Sequence, residues 1–111
     1  MSHTTTLNQL RNTIRHGLEP EQPQLFQLWF SIEDEHIENT QVDAWHANIN
    51  QFQLLLDTFA DVIIPSQWRW QCLDHIQRPL IRLSRLVSNA NQQQQLKQLL
   101  TELRVTSHYF K

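Results

Sequence analysis

VDAWHANINQFQLLLDTFADVI, residues Val42–Ile63, carries the clearest pattern in the chain. Val42, Trp45, Ile49, Phe52, Leu56, Phe59 and Ile63 step by 3, 4, 3, 4, 3, 4. That is one apolar seam over about three heptads, the spacing that puts every member on one helix face. The spacing predicts a helix over about 41–64. Thr40 with Asp43 resembles a capping box at its start, with Asp in place of the usual Glu. Pro65 ends it.

The same stepping recurs on both sides. Upstream, Leu7, Leu10 and Ile14 predict a helix over about 5–16, with Gly17 as its C-terminal cap. Glu19-Pro20-Glu21-Gln22-Pro23 is a rigid connector, and Pro23 suits the first position of a second helix over about 23–38. Downstream, Ser66 is the natural N-cap of a helix over about 66–89 built on Leu73, Ile76, Leu80, Leu83 and Val87. Pro79 inside that run removes a backbone donor and is expected to kink or split the helix near residue 78. A last helix over about 91–106 turns Leu96, Leu99, Leu100 and Leu103 inward, and the tail from Ser107 to Lys111 offers Tyr109 and Phe110 to the bundle.

Composition agrees. Of 111 residues, 16 are Leu and 15 are Gln, good helix formers, while one Gly is too few for a hairpin-rich β fold. The single Gly also excludes a glycine-rich phosphate loop. Cys72 is the only cysteine, which excludes an internal disulfide and a multi-cysteine metal site. The short Gln92–Gln95 run beside a leucine pattern reads as a helix start. The expected fold is all-α: one domain, a small up-and-down bundle of four to five helices. The polar start, Met1 to Thr6, opens no secretory signal, no apolar run approaches the ~20 residues of a membrane span, and the expected location is cytoplasmic.

Two features point beyond the core. Helix 2 holds Leu25, Phe26, Leu28, Trp29, Phe30 and Ile32 within eight residues, apolar over roughly 200° of arc. Leu25, Leu28, Trp29 and Ile32 form one stripe; Phe26, Phe30 and Ile37 form another. Either helix 2 is central and touches several neighbours, or the Phe26/Phe30/Ile37 stripe is exposed to a partner or a second copy. Charge is also segregated. Residues 17–64 carry nine acids and no Lys or Arg; residues 65–111 carry seven basic residues against Asp74 and Glu102. Acidic and basic helices packed side by side would account for this. Arg78, Arg82 and Arg85, however, share the face opposite the Leu73/Ile76/Leu80/Leu83 seam and are expected to point outward.

Candidate chemistry is sparse. Glu33-x-x-His36 matches the short motif of di-iron bundles, and Asp43-x-x-His46 is a cousin, but no further ligands follow on the later helices. His36 lies on the Leu25/Trp29/Ile32 stripe, as a hydrogen-bonded histidine at the core edge would. Cys72 with His75 could form a thiolate pair, although Cys72 beside the seam reads as a buried hydrophobe. No cofactor is implied. The expected function is a non-enzymatic protein–protein interaction module: an adaptor, a secretion-type chaperone or a sequestering regulator, working through Phe26, Phe30, Ile37, Arg78, Arg82 and Arg85, with another protein or a second copy in a homodimer as partner. Two alternatives rank below it: a nucleic-acid-associated regulator using the arginine face, in a chain of net charge −2, and a metal or small-molecule binder at the helix 2–3 junction.

Overall fold

The computed structural model describes residues 3–110, all of whose regular structure is helical: α1 (His3–Arg15), α2 (Gln24–Thr40), α3 (Ala44–Phe59), α4 (Ser66–His75), α5 (Gln77–Leu86) and α6 (Ala90–Phe110). Met1 and Ser2, in the polar start, and Lys111, in the tail, lie outside the described residues. With α4 and α5 taken as two halves of one broken helix, this is the small five-helix bundle that the seams predict. It is a flat one, 40 × 39 × 16 Å.

α3 is the hub. It packs against α1, α4, α5 and α6, and α1 in turn carries α2. Of the seam, Trp45, Phe52, Leu56 and Phe59 are buried and Ile49 is half-buried, with Leu55 buried beside them. The seam's ends are not. α3 starts at Ala44 because Asp43 is its N-cap, accepting the Trp45 N–H at 2.9 Å. The expected box with Thr40 is absent: the Thr40 hydroxyl belongs to the end of α2, where it donates to the His36 carbonyl. α3 stops at Phe59, not near 64, because Asp61 accepts the Ile63 N–H and turns the chain. Ile63 is therefore 85% exposed, and Ile64 is the buried residue instead.

Gly17 shows why. It caps α1 with φ +57°, its N–H donating to Ile14 O while Leu18 N–H donates to Thr13 O, the paired bonds of a Schellman cap. A Cβ there would sit 2.9 Å from Ile64 and 3.3 Å from Trp68. The close approach of the α1 end to Ile64 and α4 thus needs this one glycine.

The break around Pro79 falls two residues earlier than expected, at Ile76. Pro79 has no N–H for the His75 carbonyl and its ring crowds that carbonyl, so regular α4 ends at His75 and α5 begins at Gln77. The Leu80 N–H still reaches Ile76 O, stretched to 3.4 Å. α5 ends at Leu86 rather than near 89. There Asn89 caps α6, accepting the Gln92 N–H at 2.8 Å, while the Gln92 side chain reaches back to the Ser88 N–H. The glutamine run is a helix start. α6 continues to Phe110, longer than expected; Phe110 packs edge-on against Phe59, whereas Tyr109 stays exposed.

Gly17→Ala is expected to cost about 1–2 kcal/mol for the left-handed backbone alone. A drop of several degrees in melting temperature checks it, and an unchanged melt would mean that the α1 end rearranges freely.

Candidate functional site: a cleft between α2 and α5

The aromatic face of α2 goes inward. Phe26 is fully buried between Trp68 (ring centroids 4.5 Å) and His75 (4.3 Å), and Phe30 is 1% exposed, against Trp29 at 4.9 Å. This corrects the expectation of an exposed Phe26/Phe30/Ile37 stripe. Only Ile37, half-buried, reaches a surface. The two-sided apolar arc reflects a helix with several neighbours, and aromatic rings of this size repay full burial.

The arginine face is corrected in part. Arg78 Nη2 donates to Asp34 Oδ2 at 2.6 Å; Arg82 donates to both carboxylate oxygens of Asp34. Both arginines are therefore about two-thirds buried, bent back from α5 toward α2. The Arg78 guanidinium also lies 4.6 Å over the Phe30 ring, a cation–π contact. Of the three, Arg85 alone is exposed as expected, and among the described residues it makes no ion pair.

The remaining charge follows the same internal pairing. Arg11 of α1 holds Glu33 with two hydrogen bonds (3.1 and 2.9 Å), and Arg15 binds Asp61 at 3.0 Å, holding that carboxyl below its ordinary pKa. Among the described residues arginine ion pairs engage Glu33, Asp34 and Asp61, three of the nine acids in residues 17–64, so complementary packing accounts for part of the segregated charge. Bidentate arginine pairs of this kind fix orientation as well as charge.

α2 and α5 are not among the closely packed helix pairs, and the Asp34 bridge links them. Two cavities open along it. One, about 310 Å³, lies among Ile37, Glu38, Ala44, Asn48, Arg85 and Leu86. The other, about 450 Å³, is bounded by Gln27 and Phe30 on α2, Asp74 and His75 on α4, and Arg78 and Ile81 on α5. Arg82 and Arg85 line both. Of the six expected partner-binding residues, the structure brings Phe30, Ile37, Arg78, Arg82 and Arg85 to one cleft and leaves Phe26 in the core.

Sequence reasoning missed Asp34 and Asn48. Asp34 sits four residues after Phe30 on the second stripe, where an acid on an apolar arc signals a partner. Asn48 falls three after Trp45 and four before Phe52, squarely on the seam. It is 2% exposed; its Nδ2 donates to Ala44 O at 2.8 Å, but its Oδ1 accepts nothing.

At the helix 2–3 junction the four metal candidates, Glu33, His36, Asp43 and His46, do line one cavity of about 190 Å³. Arg11 lies among them and occupies both Glu33 oxygens. The His46 ring pairs with Asp43, holding that carboxyl low with help from the Trp45 N–H. Among the described residues no group of three His, Cys, Asp or Glu is placed to hold a metal. The Cys72–His75 pair fails too. Cys72 is fully buried and its thiol is pushed up to about 12, so it is protonated and unreactive at neutral pH.

His75 is stacked on Phe26 and half-buried; burial lowers its pKa, Asp74 opposes and Arg78 reinforces the shift. With the folded value below the ordinary 6.5, stability from this group is complete above pH 6.5. It is lost as the pH falls through the folded value, because the unfolded chain then binds the extra proton. Urea midpoints compared across this range should fall more for the parent than for His75→Gln. Phe30→Asp should lose roughly 3–5 kcal/mol and leave the chain largely unfolded by circular dichroism, since it empties a core site and buries a charge. No known family model matches the sequence, and neither a curated protein nor a solved structure matches it.

Proposed function

We propose that the chain is a non-enzymatic, cytosolic protein-binding module, of the adaptor, secretion-type chaperone or sequestering-regulator kind, and that it holds its partner in the cleft between α2 and α5. One observation carries the reading: an unpaired arginine, Arg85, stands between two cavities whose rims carry the half-exposed apolar side chains Ile81 (47%) and Leu86 (40%). Apolar anchors around a positive centre are the composition of an interface core with a polar rim. Cavities of about 310 and 450 Å³ accommodate side chains from a partner.

Phosphate tracking along nucleic acid is supported less well. Asp34 engages two of the three arginines, and Glu38 and Asp74 stand at the cleft margins. For a membrane-spanning role, no described helix is long and apolar enough.

The test is capture from native lysate at low salt, with and without nuclease, using the parent chain, Arg85→Glu and Ile81→Asp. Both substitutions are at exposed positions and should leave the melt unchanged. A stoichiometric, nuclease-resistant protein held by the parent and lost by both variants is the expected result. A protein retained by both variants overturns the cleft assignment, and enrichment that vanishes with nuclease moves the function to nucleic acid.

A further inference from the structure

From the layout of the cleft we infer that its occupant is an acidic amphipathic helix of a partner protein, laid along α5 with its carboxylates over Arg82 and Arg85 and its apolar side chains in the two flanking cavities. This inference rests on the reading of the cleft as the partner-binding surface and adds the partner's chemistry.

Charge complementarity is the first support. Three guanidiniums meet in the cleft and only one carboxylate, Asp34, is bound to them. Arg78 and Arg82 share it and, among the described residues, Arg85 has no ion pair, so the positive charge left open to a partner is concentrated at Arg85, while Asp34, Glu38 and Asp74 together match the three arginines in number. Glu38 lies at the smaller cavity and Asp74 at the larger. Acids at both margins repel carboxylates there and so confine a partner's acids to the middle.

Spacing is the second. The α5 wall presents Arg78, Arg82 and Arg85, steps of 4 and 3, or about 10.5 Å along the helix axis. The α2 wall presents Phe30, Asp34 and Ile37 at the same stepping. Walls with ridges at 3 and 4 residues receive a third helix whose side chains recur at those intervals. Acids at i and i+3 or i+4 then lie over Arg82 and Arg85. Apolar residues on the two flanks of the acidic row reach Ile37 and Leu86 on one side and Ile81 on the other, since Leu86 and Ile81 stand on opposite flanks of the arginine row.

The third support is independent of charge. Asn48 lines the smaller cavity with a side chain 98% out of water, yet its Oδ1 has no donor. A buried acceptor left unpaired is costly, and an amide or hydroxyl beside the partner's apolar anchor would satisfy it.

The experiment uses the full chain and a fluorescent peptide of roughly 15 residues, long enough to be helical, made of Leu, Gln and Glu with acids at i, i+3 and i+7. Three control peptides replace Glu by Lys, insert a central Pro, or keep the acids but exchange Leu for Ser. Anisotropy should show saturable binding that weakens at least tenfold in Arg85→Glu, in the Pro peptide and in the Ser peptide, with a gain of peptide helicity by circular dichroism. The Lys peptide should fail on the parent and recover on Arg85→Glu, which distinguishes lost pairing from lost folding. Asn48→Leu should keep or raise the melting temperature and weaken binding. No saturable binding, equal binding of the Pro peptide, or indifference to Arg85→Glu overturns the inference. So does a dimer in sedimentation that Arg85→Glu dissolves, which would make a second copy the occupant. If the lysate partner is lost in Arg85→Glu while the peptide never binds, the cleft reading stands and only the helical, acidic partner falls. If the lysate partner survives both cleft variants, the cleft reading itself falls.

Discussion

The buried hydrogen bond from the Trp68 indole N–H to the Ile14 carbonyl, 2.9 Å, ties the end of α1 to the start of α4. It forms where Gly17 lets the chain pass within contact of Ile64 and Trp68. From this junction an aromatic column runs through the molecule: Trp68 on Phe26, Phe26 on His75, and His75 beside Phe30 at 5.9 Å. Arg78 closes it by lying over Phe30. The position of the cleft is therefore set from its far side. Helix α2 is carried by α1 and locked by this column, and α5 follows α4 through the break at Ile76.

A second constraint is electrostatic. Glu33 is 2% exposed and is held in place by the two bonds from Arg11, because a buried carboxylate without a partner would be strongly unfavourable. Asp34, the next residue, turns the other way and gathers Arg78 and Arg82. Two adjacent acids thus hold α2 to α1 on one side and to α5 on the other. This use of charge leaves Arg85 unpaired while its two companions on the same face are engaged, which gives the cleft its polarity.

How far each feature was legible depended on distance along the chain. The helices follow from local spacing, the Gly17 cap and the prolines, because such signals act within one or two turns, whereas the Asn89 cap fell inside the helix expected over 66–89 and was missed. The error at Ile63 and Ile64 has a nonlocal cause. Both continue an apolar run, and the loop places Ile64 against Gly17, 47 positions away in sequence. The error at Phe30 is of the same kind. Period and composition show that α2 is apolar on two sides but not which neighbours cover it. Trp68 and His75 of α4 do so. The arginines were legible as a face but not as a pairing, since a long flexible side chain on a predicted outward face can still bend 44 or 48 residues back to an acid. Asn48 was legible and overlooked: a polar residue on an otherwise apolar seam.

The sequence by itself determined the all-α class, a bundle of four to five helical units, the apolar seam from Trp45 to Phe59 and the segregation of charge. These are properties of periodicity and composition, and they survive any arrangement of the helices. Only the tertiary structure decided that Asp34 bridges α2 to α5, that Phe26 and Phe30 are core, and that Ile37, Arg82 and Arg85 share one cleft. Which faces meet depends on contacts between residues distant in the chain, and those are set by how all the helices bury their apolar surface together.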